Sequence, residues 1–311
     1  MRLASHFSSM QKAAISSLLF FSVLLLGQTT PPDAEFTLHA DSDLVVLNVG
    51  VQNAHGTNIK GLSVEDFRVY EDGRIQPIKQ FAAEDRPVTV GILFDTSGSM
   101  RTKQVEAVAA AIAFVQSSNP DDETFVIDFN DRAELGLPPD VAFSQNPAQL
   151  RTALLGRKPE GKTALYDALI LAASHLAKAK WERKALLLIS DGGDNNSTHS
   201  LQEAVRAVEL SGAAVYSVAL YDPDEPEHNL KVLHRLAQLS GGEVFVPAEF
   251  SEIKTLCLRI AEDIRASYTL AYTPPDPDRY SVSRKVRVVV SAPGAGKLRV
   301  HTRTSYVLEK R

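Results

Sequence analysis

Residues 88–100 read VTVGILFDTSGSM: a run of apolar and β-branched residues from Val88 that stops at Asp95-Thr96-Ser97-Gly98-Ser99. The pattern predicts a buried strand ending in a polar loop. Asp95, Ser97 and Ser99 offer one carboxylate and two hydroxyls at alternate positions, and Gly98 lets the backbone curl so that all three oxygens can face one point. Hard oxygen donors suit Mg²⁺ or Mn²⁺ rather than zinc. A D-x-S-x-S string is short enough to recur by chance, so its companions decide its meaning.

Downstream of this stretch, strand and helix patterns alternate, which implies a mostly parallel sheet covered on both faces. Val105, Val108, Ala109, Ile112 and Val115 repeat at helical spacing over about 102–117, and Asn119-Pro120 ends that helix. A strand is predicted over 124–129, a short edge strand over 133–137 and a helix over 146–155. Leu165, Ala168, Leu169, Ala172 and Leu176 then mark another helical face. Ala185 to Ile189, ALLLI, is apolar throughout and fits a central strand buried on both sides. Helices over 201–210, 230–239 and 253–266 alternate with strands over 213–220 and 243–246. The predicted architecture is a doubly wound, Rossmann-like α/β domain spanning 88–266.

The flanks read as β-structure. Residues 36–87 show alternation at Leu44 to Val51, a strand from Asp66 to Tyr70 and a hairpin signal at Asp72-Gly73. Residues 267–311 carry strand patterns over 268–272, 285–290 and 298–302. Neither flank has strands enough for its own core, so the two are expected to pack together into one small β domain interrupted by the α/β unit.

At the start, Arg2 and Lys12 precede an apolar run from Ala13 to Leu26, followed at once by GQTTPPD. About fourteen residues fall short of the ~20 that span a bilayer, so residues 1–27 read as a signal peptide and the chain as exported, periplasmic or secreted. No stable transmembrane segment is expected in the mature chain. The 311 residues are 44% hydrophobic and 23% charged, an ordinary globular balance. The formal charge of −5 becomes −7 without residues 1–27, which carry two basic and no acidic side chains. That balance argues against nucleic acid as a partner. The lone Cys257 cannot form an internal disulfide and reads as a buried apolar residue.

In a doubly wound sheet, sites form beyond the carboxyl ends of the strands, where strand order reverses. Asp191 follows the all-apolar strand at Ser190-Asp191-Gly192, and Thr163 lies just ahead of the helix from Leu165. Asp95, Ser97, Ser99, Thr163 and Asp191 could therefore meet at one rim. At this point the chain resembles the von Willebrand factor type A (VWA) domain with its metal-ion-dependent adhesion site, on DTSGSM, GKTALYDAL and LLLISDGGD together. The resemblance implies that Ser97, Ser99 and Thr163 ligate an ion directly, with Asp95 and Asp191 acting directly or through water. The flanks GLSVEDFRVYEDGRIQPI and SYTLAYTPPD resemble the bacterial VWFA-related family typical of Acidobacteria.

Two carboxylates leave no surplus negative charge on a divalent ion, so an open coordination position could take the carboxylate of a protein or surface partner. The expectation is a binding module and not an enzyme, with Mg²⁺ or Mn²⁺ as its ion and no catalytic residues. Two alternatives stand beside it. One is a structural subunit whose ion only steadies the rim. The other is a nucleotide hydrolase, because Gly156 to Thr163 fits G-x-x-x-x-G-K-[ST]. Such a phosphate loop should follow a buried strand, yet the preceding residues read helical and Pro159 lacks a backbone donor. Where the family has Gly-Gly-Thr, this chain has Gly161-Lys162-Thr163, which places a cation beside the proposed ligand. Asp194 to Ser197 read equally as a polar turn or as a determinant of partner choice.

Overall fold

A computed structural model describes residues 44–308 except 84, 221–227, 277–281 and 295. The expected signal peptide and the first residues of the N-terminal β segment lie outside the described residues. The strands are β1 (Val45–Gln52), β2 (Phe67–Glu71), β3 (Arg74–Gln76), β4 (Gln80–Ala82), β5 (Thr89–Asp95), β6 (Glu123–Phe129), β7 (Ala133–Leu135), β8 (Lys184–Ser190), β9 (Ala214–Ala219), β10 (Val244–Phe245), β11 (Tyr268–Tyr272), β12 (Ser283–Val290), β13 (Arg299–His301) and β14 (Ser305–Val307). The helices are α1 (Gln104–Ser117), α2 (Pro147–Leu154), α3 (Leu165–Leu176), α4 (Leu201–Ser211), α5 (Leu230–Ser240) and α6 (Ile253–Arg265).

Six strands form the central sheet in the order β10-β9-β8-β5-β6-β7, parallel except for the edge strand β7. Every residue of β5 is buried, as an apolar run without alternation requires of a strand with both faces covered. Helices α1, α2 and α6 pack together, as do α3, α4 and α5, and the sheet lies between the two groups. The chain runs from β5 to β6 on one side and later to β8 on the other, so β5 and β8 straddle the point where strand order reverses. Their register puts Phe94 opposite Ile189 and so brings Asp95 level with the start of the Ser190-Asp191 loop.

The flanks supply two antiparallel four-stranded sheets, β13-β1-β11-β4 and β14-β12-β2-β3, each mixing strands from before and after the α/β unit. Leu47, Val49, Phe67, Val69, Tyr268, Leu270, Val286 and Val288 form their shared core. At its centre Glu71 accepts hydrogen bonds from Tyr272 and Tyr306, both 2.7 Å, and from Arg284 at 3.1 Å. The chain leaves the sandwich after β4 and returns at β11, and these are neighbouring strands with Ala82 opposite Thr269. Two strands escaped the sequence reading, β4 and β14, each three residues long. Among the described residues no helix is long and apolar enough to cross a membrane.

Candidate metal centre

Asp95 closes β5 with its side chain 0% exposed. One carboxylate oxygen accepts the Ser97 N–H at 2.9 Å, and the other accepts the Ser190 hydroxyl at 2.7 Å. Asp191, 4% exposed, repeats the arrangement: Oδ1 takes the Gly193 N–H at 2.9 Å and Oδ2 takes the Ser99 hydroxyl at 3.1 Å. Ser99 also lies 3.1 Å from the Ser97 hydroxyl. The two loops, far apart in sequence, are thus bonded through three of the five predicted oxygens.

Thr163 reaches the same rim through its backbone. Its flanking residues are laced to the ends of β5 and β6: Glu160 N–H to the Thr96 carbonyl, Gly98 N–H to the Gly161 carbonyl and Ala164 N–H to the Asn130 carbonyl. On the other side Thr163 N–H donates to Asn195 Oδ1, and its carbonyl accepts from the N–H groups of Asn195 and Asn196. The loop is anchored below by Asp131, whose carboxylate accepts the Lys162 N–H. Gly161 is required there: its φ is +75°, and a Cβ would meet the Asp131 carboxylate.

Burial and the neighbouring Asp191 charge push the Asp95 carboxyl up to about 6, although hydrogen bonds from Ser97 and Ser190 oppose the rise. Two buried carboxylates are therefore held together among the hydroxyls of Ser97, Ser99 and Ser190. That donor set, all oxygen, fits a hard divalent cation. Among the described residues no cluster of three or more His, Cys, Asp or Glu side chains could hold a metal. Asp95, Ser97, Thr163 and Asp191 are buried while Gly98 and Ser99 are half-exposed and Lys162 is exposed, so the rim opens to solvent at those three residues.

Sequence reasoning gave no role to Ser190 and read Asn195 only as part of the polar segment Asp194 to Ser197, not as the acceptor of the Thr163 N–H. Ser190 follows ALLLI directly, and a hydroxyl at the end of an apolar strand was the available signal. Asp194 belongs to a turn: Oδ1 accepts the Ser197 hydroxyl at 2.5 Å and the Tyr166 N–H at 3.3 Å. The segment Gly156 to Thr163 follows helix α2 and not a strand, which removes the context a nucleotide-binding phosphate loop needs.

Fold and rim together define a doubly wound domain with an oxygen-lined site at its strand-order switch. Residues 90–193 match the sequence profile of the von Willebrand factor type A domain, and the chain carries such a domain. An uncharacterized protein of Synechocystis is 32% identical over 116 residues, which cover 35% of this chain and 27% of that protein. The chain thus matches only about a quarter of that relative's length. Among solved structures, a von Willebrand factor type A protein from Catenulispora acidiphila shares the fold with a TM-score of 0.51 and 15% identity, over 88% of this chain and 76% of that one. Proximal thread matrix protein 1 from the mussel byssus does so with a TM-score of 0.51 and 17% identity, over 63% and 51%. Domains of this family generally mediate protein–protein adhesion with a metal ion held at such a rim.

Proposed function

We propose that the protein is an exported, non-enzymatic binding module whose α/β domain holds Mg²⁺ or Mn²⁺ at Asp95, Ser97, Ser99, Thr163 and Asp191 and captures a carboxylate of a protein or surface partner through that ion. The observation that carries this reading is Ser99, whose hydroxyl touches both the Ser97 hydroxyl and the Asp191 carboxylate at 3.1 Å. A divalent ion supplies a Lewis-acidic centre that can bind an anionic oxygen. The chain supplies the rest: Asp95 and Asp191 are held by their backbone and hydroxyl donors, and Ser190 and Asn195 fix the loops from behind. Lys162, exposed on the open side, adds a positive charge that favours an acidic partner.

The same hydrogen bonds also support a second reading, in which the ion only braces loops that already bond to one another. Calorimetric titration of the chain with Mg²⁺ and Mn²⁺, and separately with ATP, tests the site. Saturable cation binding that is lost in Ser97→Ala/Ser99→Ala, with urea stability retained, supports recognition. Loss of stability in step with loss of the ion supports bracing, and ATP binding without a cation response rejects both.

A further inference from the structure

The sheet β14-β12-β2-β3 turns Phe67, Val69, Val286 and Val288 inward against its partner sheet and the alternate residues of the same strands outward. On the outer face Arg68 lies opposite Val289, Tyr70 lies between Arg287 and Ile75, and Lys285 lies opposite Ser305. Arg68, Lys285 and Arg287 are all exposed, and no outward-facing described position on these four strands is acidic. The strand positions of this face thus carry cations only, while Glu65, Asp72, which accepts the Lys285 N–H at 3.0 Å, and Glu209, which accepts from Ser305 at 3.0 Å, border it. The Arg287 guanidinium sits over the Tyr70 ring, 4.6 Å from its centroid, and Arg68 donates to the carbonyls of Glu65 and Phe67. Neutral partners hold both guanidinium groups in place, and the Glu65 carboxylate lies near Arg68 at the edge of the face.

Clefts flank this strip. One of about 630 Å³, beside the end of α5, is lined by Tyr70, Leu239, Lys285, Arg287 and Thr304 among others. The other, of about 450 Å³, is lined by Phe67, Arg68, Ile75, Pro77 and Ile78 among others.

We propose that this face binds an acidic polypeptide in extended conformation, independently of the metal rim. Same-face side chains of a strand recur about every 7 Å, which is also the spacing of Lys285 and Arg287 along β12. Carboxylates at alternate positions of an extended peptide therefore meet both cations in register, while its aliphatic side chains reach Ile75, Val289 and the apolar cleft walls. Nucleic acid is disfavoured because Arg287 covers the ring on which a base would stack. An anionic polysaccharide has no apolar groups for the clefts. An anionic membrane would meet a single strongly exposed aliphatic side chain on this face, Ile75 at 59%.

The test is fluorescence anisotropy of a labelled peptide of about twelve alternating glutamate and valine residues, titrated with the full chain in EDTA at low salt. Saturable binding is expected to weaken about tenfold or more in Lys285→Glu/Arg287→Glu, to fall with added salt, and to persist in Ser97→Ala/Ser99→Ala. Lys285 and Arg287 are exposed, and circular dichroism of each variant checks that the fold survives. Lys285→Gln and Arg287→Gln, taken singly, give the same direction should charge reversal prevent folding. No binding, binding unchanged by these substitutions, or tighter binding to polygalacturonate, single-stranded DNA or phosphatidylserine vesicles overturns the proposal. Because EDTA is present throughout, failure here leaves the metal-centred reading untouched, and the reverse also holds.

Discussion

Asp128 on β6 is a carboxylate with little to hold it: 2% exposed, with no protein hydrogen-bond partner for Oδ1. Burial pushes its pKa up to about 7, against the weaker pull of Arg157. An unfolded aspartate titrates near about 4, so between about pH 4 and 7 the folded chain binds the extra proton and stability falls as pH rises through that window. Asp128→Asn removes this share of the slope. Urea unfolding at about pH 5 and about pH 8 is expected to show the variant gaining on the parent at the higher pH. Asp122, raised to about 6 by burial, acts in the same direction in both chains and cancels in the difference. Identical slopes for the two chains would show that Asp128 does not titrate in this way. At the rim, Gly161→Ala sets a Cβ against Asp131 at positive φ and is expected to cost about 1–3 kcal/mol. Calorimetry should show cation affinity falling with it, because Thr163 rides on the same loop. The meeting of Asp95, Ser97, Ser99 and Asp191 was legible because a strand end and a distant oxygen-bearing loop each leave a mark in the sequence, while Thr163 is tied in by its backbone. Asn195 left none, since its role depends on a loop docking that no local pattern encodes.

Among the elements, β5 owes its packing to Gly91. A Cβ there would run into the Phe125 ring of β6 and Leu186 of β8, the strands on either side. Gly91→Ala is expected to destabilise the domain by about 1–3 kcal/mol through overpacking, read as a lower urea midpoint. Adding Phe125→Leu should restore part of the loss, and a double variant no more stable than the single one would place the strain elsewhere. Long periodic elements were readable: apolar runs gave β5 and β8, and 3.6-residue spacing gave α3, whereas the face read for α1 is rotated, since Val105 and Ala109 are exposed and Ala107, Ala110, Ala111 and Phe114 are buried. The three-residue strands β4 and β14 are too short to show alternation, and they exist only because β11 and β12 offer them a ladder.

For the molecule as a whole, Glu71 joins strands from both sides of the α/β unit. It is 3% exposed, receives Tyr272, Tyr306 and Arg284, and so links β2 to β11, β14 and β12. Glu71→Ala removes the carboxylate that Arg284, Tyr272 and Tyr306 share and is expected to cost about 3–5 kcal/mol. Thermal unfolding followed by tyrosine absorbance measures it, and a loss under about 1 kcal/mol would show that the other acceptors of Arg284, the Asp276 carbonyl and the Tyr306 hydroxyl, suffice. The sequence hid this network because charged residues read as exposed. The one clue was phase, since Arg284 shares the inward positions of β12 with Val286 and Val288.

The chain enters and leaves the α/β unit through adjacent links, out of β4 and back into β11. If the rim holds a tethered partner, tension on it is split between two neighbouring covalent connections and delivered to one spot. It draws β4 and β11 lengthwise, so the β1–β11 ladder is loaded in shear, with its bonds strained together instead of torn in succession.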